Sequence, residues 1–231
     1  MIVFGGIDLT GTIPVMIEDV VVSPIQLNTV ARQRPIQYGA EYVRTTGGTR
    51  TVTITFALLE INPDEREKAM QNLRDWAKIG KTQTMVLPQF SDRFLSCTCT
   101  QLPDYSYRKW WENKLRAVFT CFDNPFWTSA ELLEVPCGQT FSVGGSAPPL
   151  MQIVRNGSAI NNVTYATSNA AMTFKKIPSG TFTIDLNRQT ADVGGVSVMS
   201  NYTPTSVWIV PQTGKQKITG TGTVKYRERW V

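Results

Sequence analysis

Histidine is absent from this 231-residue chain. That removes the commonest general base, the usual hydrolase triads and most catalytic zinc sites, because each needs a group titrating near neutrality or an imidazole ligand. Carboxylate pairs are the remaining route to acid–base chemistry, and a glycosidase would need two of them flanking a sugar. Asp185 and Asp192 are the notable pair in the second half, but both stand where strand ends and turns use Asp side chains for local hydrogen bonds. Cys97 and Cys99 are two apart on a predicted strand and share a face, Cys121 lies on another inward row, and neither Cys121 nor Cys137 has a partner cysteine nearby. Thiolate zinc sites use closely spaced pairs on turns, so the four read as reduced core thiols made in a reducing compartment. The pairs Gly5-Gly6, Gly47-Gly48, Gly144-Gly145 and Gly194-Gly195 lack the Lys-Ser/Thr context of phosphate loops and read as turns. The expectation is a non-enzyme with no catalytic, cofactor or metal residues.

Interface chemistry is better represented. Tyr105, Tyr107, Arg108, Trp110 and Trp111 crowd a polar connection, Pro103 to Asn113, between two predicted strands. Trp, Tyr and Arg are the anchor types enriched at protein interfaces. Two readings stay open: a protruding hairpin that grips a neighbouring subunit, or a folded-back loop whose rings finish the core.

The elements that position these residues follow from periodicity. Val52, Ile54, Phe56 and Leu58 alternate with Thr51, Thr53, Thr55 and Ala57, which predicts a half-buried strand over Arg50 to Leu59. Asn62 can cap a helix over Pro63 to Ile79, with Pro63 in the first turn, Glu65 placed for a capping box and Gly80 available for a left-handed end. Ala69, Met70, Leu73, Trp76 and Ala77 share one helical face, with Arg66 among the polar remainder, and Trp76 should pack onto the sheet. Thr82 to Leu87, Phe94 to Leu102 and Lys114 to Phe122 have strand length and composition.

This ordered set resembles the distal tail proteins (Dit, siphovirus tail component family) of long-tailed bacteriophages. The resemblance rests on Arg50-Thr51-Val52-Thr53-Ile54, Arg66 through Trp76, Leu87-Pro88, and Leu115 to Phe119 followed by Cys121-Phe122-Asp123-Asn124-Pro125-Phe126-Trp127. It continues through Thr183-Ile184-Asp185-Leu186, Trp208 to Gly214 and Val224 to Trp230. It implies a mainly β chain in which an N-terminal β-sandwich (1–134) carries one helix and a hairpin and assembles into a hexameric ring. A C-terminal galectin-like β-sandwich (135–231) then projects outward. The implied role is a structural hub joining the tail tube protein to a tail-associated tip protein or baseplate. DNA would pass through the ring without specific binding, and the protein would be assembled in the host cytoplasm into the virion tail.

Pro136, Gly138, Gly144-Gly145 and Pro148-Pro149 mark the shift between halves. Beyond it, Met151 to Asn156, Met172 to Lys176, Thr181 to Leu186, Val196 to Met199, Thr205 to Val210 and Thr221 to Tyr226 read as strands of a second all-β domain. Residues 1 to 134 hold 14 Lys and Arg against 15 Asp and Glu, net −1, whereas 135 to 231 hold 9 against 3, net +6, so the basic balance of the +5 chain belongs to the second half. Its basic residues are dispersed over several strands, unlike the compact stripe of a nucleic-acid module. No apolar run is long enough to cross a bilayer. The alternative function is a carbohydrate-binding β-sandwich for host-surface attachment, with Trp208 and Tyr202 as stacking rings. Against it, Val207-Trp208-Ile209-Val210 has the pattern of a buried segment.

Overall fold

The computed structural model describes residues 1–33, 40–59, 62–103 and 114–231, with side chains of 27–33 and 40–47 outside the description. The chain is mainly β and folds as two compact units, Met1–Trp127 with Val231, and Thr128–Trp230.

In the first unit the order is β1 (Val3–Phe4), β2 (Ile7–Asp8), α1 (Leu9–Thr12), β3 (Val15–Val22), β4 (Leu27–Gln33), β5 (Ala40–Gly47), β6 (Arg50–Leu58), α2 (Pro63–Ala77), β7 (Thr82–Leu87), β8 (Phe90–Gln101) and β9 (Lys114–Cys121). An antiparallel sheet runs β3–β6–β9–β8–β7–β1–β2. Strands β4 and β5 form a separate hairpin with a register shift between Val30 and Ala31. The predicted alternation in β6 is present: Val52, Ile54, Phe56 and Leu58 are buried, and Ala57 joins them.

Helix α2 starts where its cap demands, with Asn62 Oδ1 accepting from the Asp64 N–H at 3.1 Å. Its end differs from expectation. Lys78, rather than Gly80, takes the left-handed cap position at φ 43°, and Gly80 follows at φ +77°. Burial also overrides one polar assignment: Arg66 is 4% exposed, packed with Ala69, Met70, Leu73, Trp76 and Ala77 on the inner face. Trp76 meets Phe4 of β1 at 5.6 Å and Phe119 of β9 at 5.7 Å between ring centroids. The helix thus covers the sheet through an aromatic cluster.

Strand β10 (Trp127–Ser129) starts on the last residue of the first unit's main segment, and the second unit then contains β11 (Leu133–Pro136), β12 (Thr140–Val143), β13 (Ala147–Gly157), β14 (Ile160–Ala166), β15 (Ala171–Ile177), β16 (Gly180–Asp185), β17 (Thr190–Val193), β18 (Val196–Ser197), a 3-10 turn (Met199–Asn201), β19 (Gly214–Lys217) and β20 (Thr223–Trp230). Its main sheet runs β18–β17–β16–β13–β20–β11, antiparallel throughout. The ladders β12–β19 and β14–β15 complete the structure around a core of Ile153, Tyr165, Phe174, Phe182, Ile184 and Val224. Because β11 pairs with β20, the unit begins ahead of the Pro- and Gly-rich stretch; long-range pairing outweighs the local change in composition.

Thr205 to Val210 is not a strand. The segment runs beside β15, but the Ser206 hydroxyl, not a main-chain carbonyl, accepts from Thr173 N at 3.0 Å, while Val207 N donates to Ala171 O at 2.9 Å. A side chain in place of a ladder partner ends the regular pattern. The predicted Val196 to Met199 strand is likewise cut to Val196–Ser197 by the 3-10 turn.

Candidate assembly and binding surfaces

Strand β3 ends the first unit's sheet, pairing with β6 along one edge among the described residues. A free strand edge presents unpaired N–H and C=O groups, which natural sheets guard with charges and bulges. Here Glu18 and Asp19 stand at the register shift between Ile17 and Asp19, and Glu18 pairs with Lys114 at 3.3 Å. Met16 and Val21, 53% and 52% exposed, leave apolar surface on either side of this guard.

Tyr105, Tyr107, Arg108, Trp110 and Trp111 lie outside the described residues. The strands on either side of them in sequence are described: β8 ends at Gln101, which pairs with Val118 of β9.

A buried polar cluster that sequence reasoning missed lies at the start of β6. Arg50 is 4% exposed, its Nε and Nη1 make no hydrogen bond among the described residues, and it sits opposite Cys121 in the β6–β9 register. The pairing of Thr98 with Thr120 places Cys97 opposite Cys121 on the neighbouring strand. A hydrogen bond from Cys97, aided by the Arg50 charge and opposed by burial, pulls the Cys121 thiol below its ordinary value. The same bond, with burial, pushes Cys97 far upward. Burial also lowers Arg50 and raises Cys99 and Cys137. All four cysteines are free thiols. Among the described residues, no group of three or more Cys, Asp or Glu is placed to hold a metal.

In the second unit the two aspartates make turn bonds. Asp185 Oδ1 accepts from the N–H groups of Asn187 and Arg188, and Asp192 Oδ1 from that of Gly195. Glu134, Lys225, Gln152 and Asp185 form one row across β11, β20, β13 and β16. These groups satisfy one another: Lys225 meets Glu134 at 2.6 Å and Gln152 Nε2 donates to Asp185 at 3.3 Å. Arg227 donates to the Ser129 carbonyl at 2.9 Å, and Arg229 to that of Pro148. Much of the basic surface is therefore engaged locally.

A concavity of about 500 Å³ is lined by Trp208 with the 167–170 turn, Val207, Val210, Gln212 and residues of the β12–β19 ladder. Contrary to the buried pattern read from sequence, Val207 and Val210 are 58% and 62% exposed and Trp208 is half-buried. The Trp208 indole is fixed by Nε1 donating to the Leu186 carbonyl at 3.1 Å and by Tyr202 at 5.5 Å between ring centroids. Tyr202 spends its hydroxyl on the Ser206 carbonyl and packs on Phe174, so it supports Trp208 instead of lining the groove.

No family model and no curated protein matches this sequence. Solved structures do match in fold. The crystal structure of the Dit (gp 19.1) protein of phage SPP1 aligns with a TM-score of 0.77 at 12% identity, covering 100% of this chain and 98% of that one. Chains of the phage P2 baseplate in its activated conformation align with TM-scores of 0.52 and 0.51, at 9% and 11% identity, for the forms with Ca and Sr. These cover 97% and 96% of this chain and 92% of each baseplate chain. Both units, in sequence order, thus have the fold of a phage Dit protein along the whole chain.

Proposed function

We propose that the chain is a structural hub at the distal end of a long-tailed phage tail, not an enzyme. Six copies close a ring through the first unit, link the tail tube protein to a tail-associated tip protein or baseplate, and leave a passage for DNA. Residues 135–231 project outward as a galectin-like sandwich. The observation that carries this reading is the end-to-end fold match to SPP1 Dit, a protein described as a paradigm of hub adsorption apparatus in phages infecting Gram-positive hosts.

Two further features support it. A closed cyclic ring needs a heterologous pair of surfaces on each subunit, and the guarded β3 edge with exposed Met16 and Val21 offers one such surface. A passage for DNA needs walls without strong positive charge, and residues 1 to 134 carry 14 basic against 15 acidic side chains.

The test is native mass measurement of the purified chain over a range of concentrations. A discrete closed oligomer supports the proposal. Open-ended polymers, whose size grows without limit as concentration rises, contradict the closed ring.

A further inference from the structure

The groove beside Trp208 is built differently from the polar row on the main sheet. The 167–170 turn is held by the Thr167 hydroxyl, which accepts from the N–H groups of Asn169 at 3.4 Å and Ala170 at 3.2 Å. That leaves the side chains of Ser168 and Asn169 on the rim without a protein partner among the described residues. Across from them, β19 pairs Lys217 with Thr140 and Lys215 with Ser142, so the two lysines share one face of the ladder and both line the groove. Neither lysine has a carboxylate partner among the described residues, and no Asp or Glu lines the cavity.

One locked aromatic ring, unpartnered hydroxyl and amide groups, and two unpaired ammonium groups share a cleft of about 500 Å³. That volume lies within the common size range of ligand clefts. An aromatic face accepts the C–H face of a pyranose ring, hydroxyls and amides exchange hydrogen bonds with sugar hydroxyls, and ammonium groups attract acid substituents. A protein interface core would be depleted in lysine and richer in clustered aromatic or Arg anchors.

We propose that this groove binds an acidic saccharide. Trp208 is the stacking platform, Ser168 and Asn169 hydrogen-bond the ring hydroxyls, and Lys215 with Lys217 holds the carboxylate or phosphate substituents. The proposal is independent of the hub reading, because it concerns a cleft within the second unit and would stand or fall in an isolated chain.

The test titrates the full chain with an alginate hexasaccharide, an oligomeric dextran phosphate and neutral chitohexaose, followed by calorimetry and tryptophan fluorescence. The acidic oligomers should bind saturably and more weakly as salt rises from about 50 to about 300 mM, since exposed ammonium–acid pairs are screened over that range. Comparing alginate with dextran phosphate shows which acid group is preferred. Chitohexaose should bind at least about fivefold more weakly if both ammonium groups contribute. The double variant Lys215→Gln/Lys217→Gln changes exposed side chains alone; it should keep the parent's melting temperature and erase the salt dependence. Trp208→Phe should reduce binding of all three probes. No saturable response to either acidic probe at about 10 mM, a level at which even weak sites with millimolar Kd fill, overturns the proposal. Equal binding by the Lys215→Gln/Lys217→Gln protein, or tighter binding of chitohexaose, overturns it as well.

Discussion

Trp76 reaches from the middle of the sequence to the first strands, its indole Nε1 donating to the Ile7 carbonyl at 2.9 Å while its ring closes on Phe4 and Phe119. One side chain therefore ties α2 to both β1 and β9.

Replacing Trp76 by Ala should destabilise the first unit by about 3–5 kcal/mol, the range for deleting a large buried aromatic. Trp76→Phe keeps a ring but loses the bond to the Ile7 carbonyl, with a loss of about 0.5–1.5 kcal/mol. Chemical denaturation of the two variants should give this order. Equal stability of Trp76→Ala and the parent would show that the cluster does not hold the helix.

Gly145 has φ +87°, and a Cβ there would meet the Arg229 carbonyl oxygen well inside contact distance. Gly138 has φ +92° with nothing near the same position. Gly145→Ala should therefore cost about 3 kcal/mol or more, combining backbone strain with a clash, whereas Gly138→Ala should cost about 1–2 kcal/mol from strain alone. Thermal melting of the second unit's transition would rank them.

Burial raises the Cys99 thiol, with the Gln101 backbone a smaller opposing influence. A raised folded value means that its stabilising contribution is complete below the unfolded thiol's pKa of about 8.5 and declines as pH rises from there toward the folded value. In reducing buffer the melting temperature of the first unit should fall above that point. Cys99→Ala should show a shallower decline, the difference reaching at most about 1.4 kcal/mol per pH unit for one proton. Parallel profiles would sink this assignment.

Much of the first unit was legible because period and caps agree. The β6 alternation, the Asn62 cap and the inner face of α2 each follow from spacing alone. The hairpin of β4 and β5 had no such signature, since Leu27–Gln33 and Ala40–Gly47 mix apolar, polar and charged residues without a sustained period of two. Arg50 was illegible for another reason: its burial beside Cys121 depends on cross-strand register, which no local pattern encodes. Trp208 was misread because Val207, Ile209 and Val210 look like core, yet Ile209 alone among those three is buried once Ser206 has replaced a ladder partner.

Trp110 and Trp111 test the open reading of the Pro103 to Asn113 connection. If they grip a neighbour, replacing both by Ala should leave the subunit's melting temperature unchanged and weaken assembly by about 2 kcal/mol or more per ring, as truncated interface anchors do. If they complete the core, folding stability falls first, by about 3–5 kcal/mol per ring. Melting of the dissociated subunit together with its assembly midpoint separates the two.

The central claim is tested most directly by imaging tails that carry this chain, with electron-dense tags on its C-terminus, and averaging the distal end. The account predicts six tags on a closed ring between the tube and the tip, the cyclic symmetry that a heterologous interface can close. A single copy per tail, or tags distributed along the tube, would contradict it.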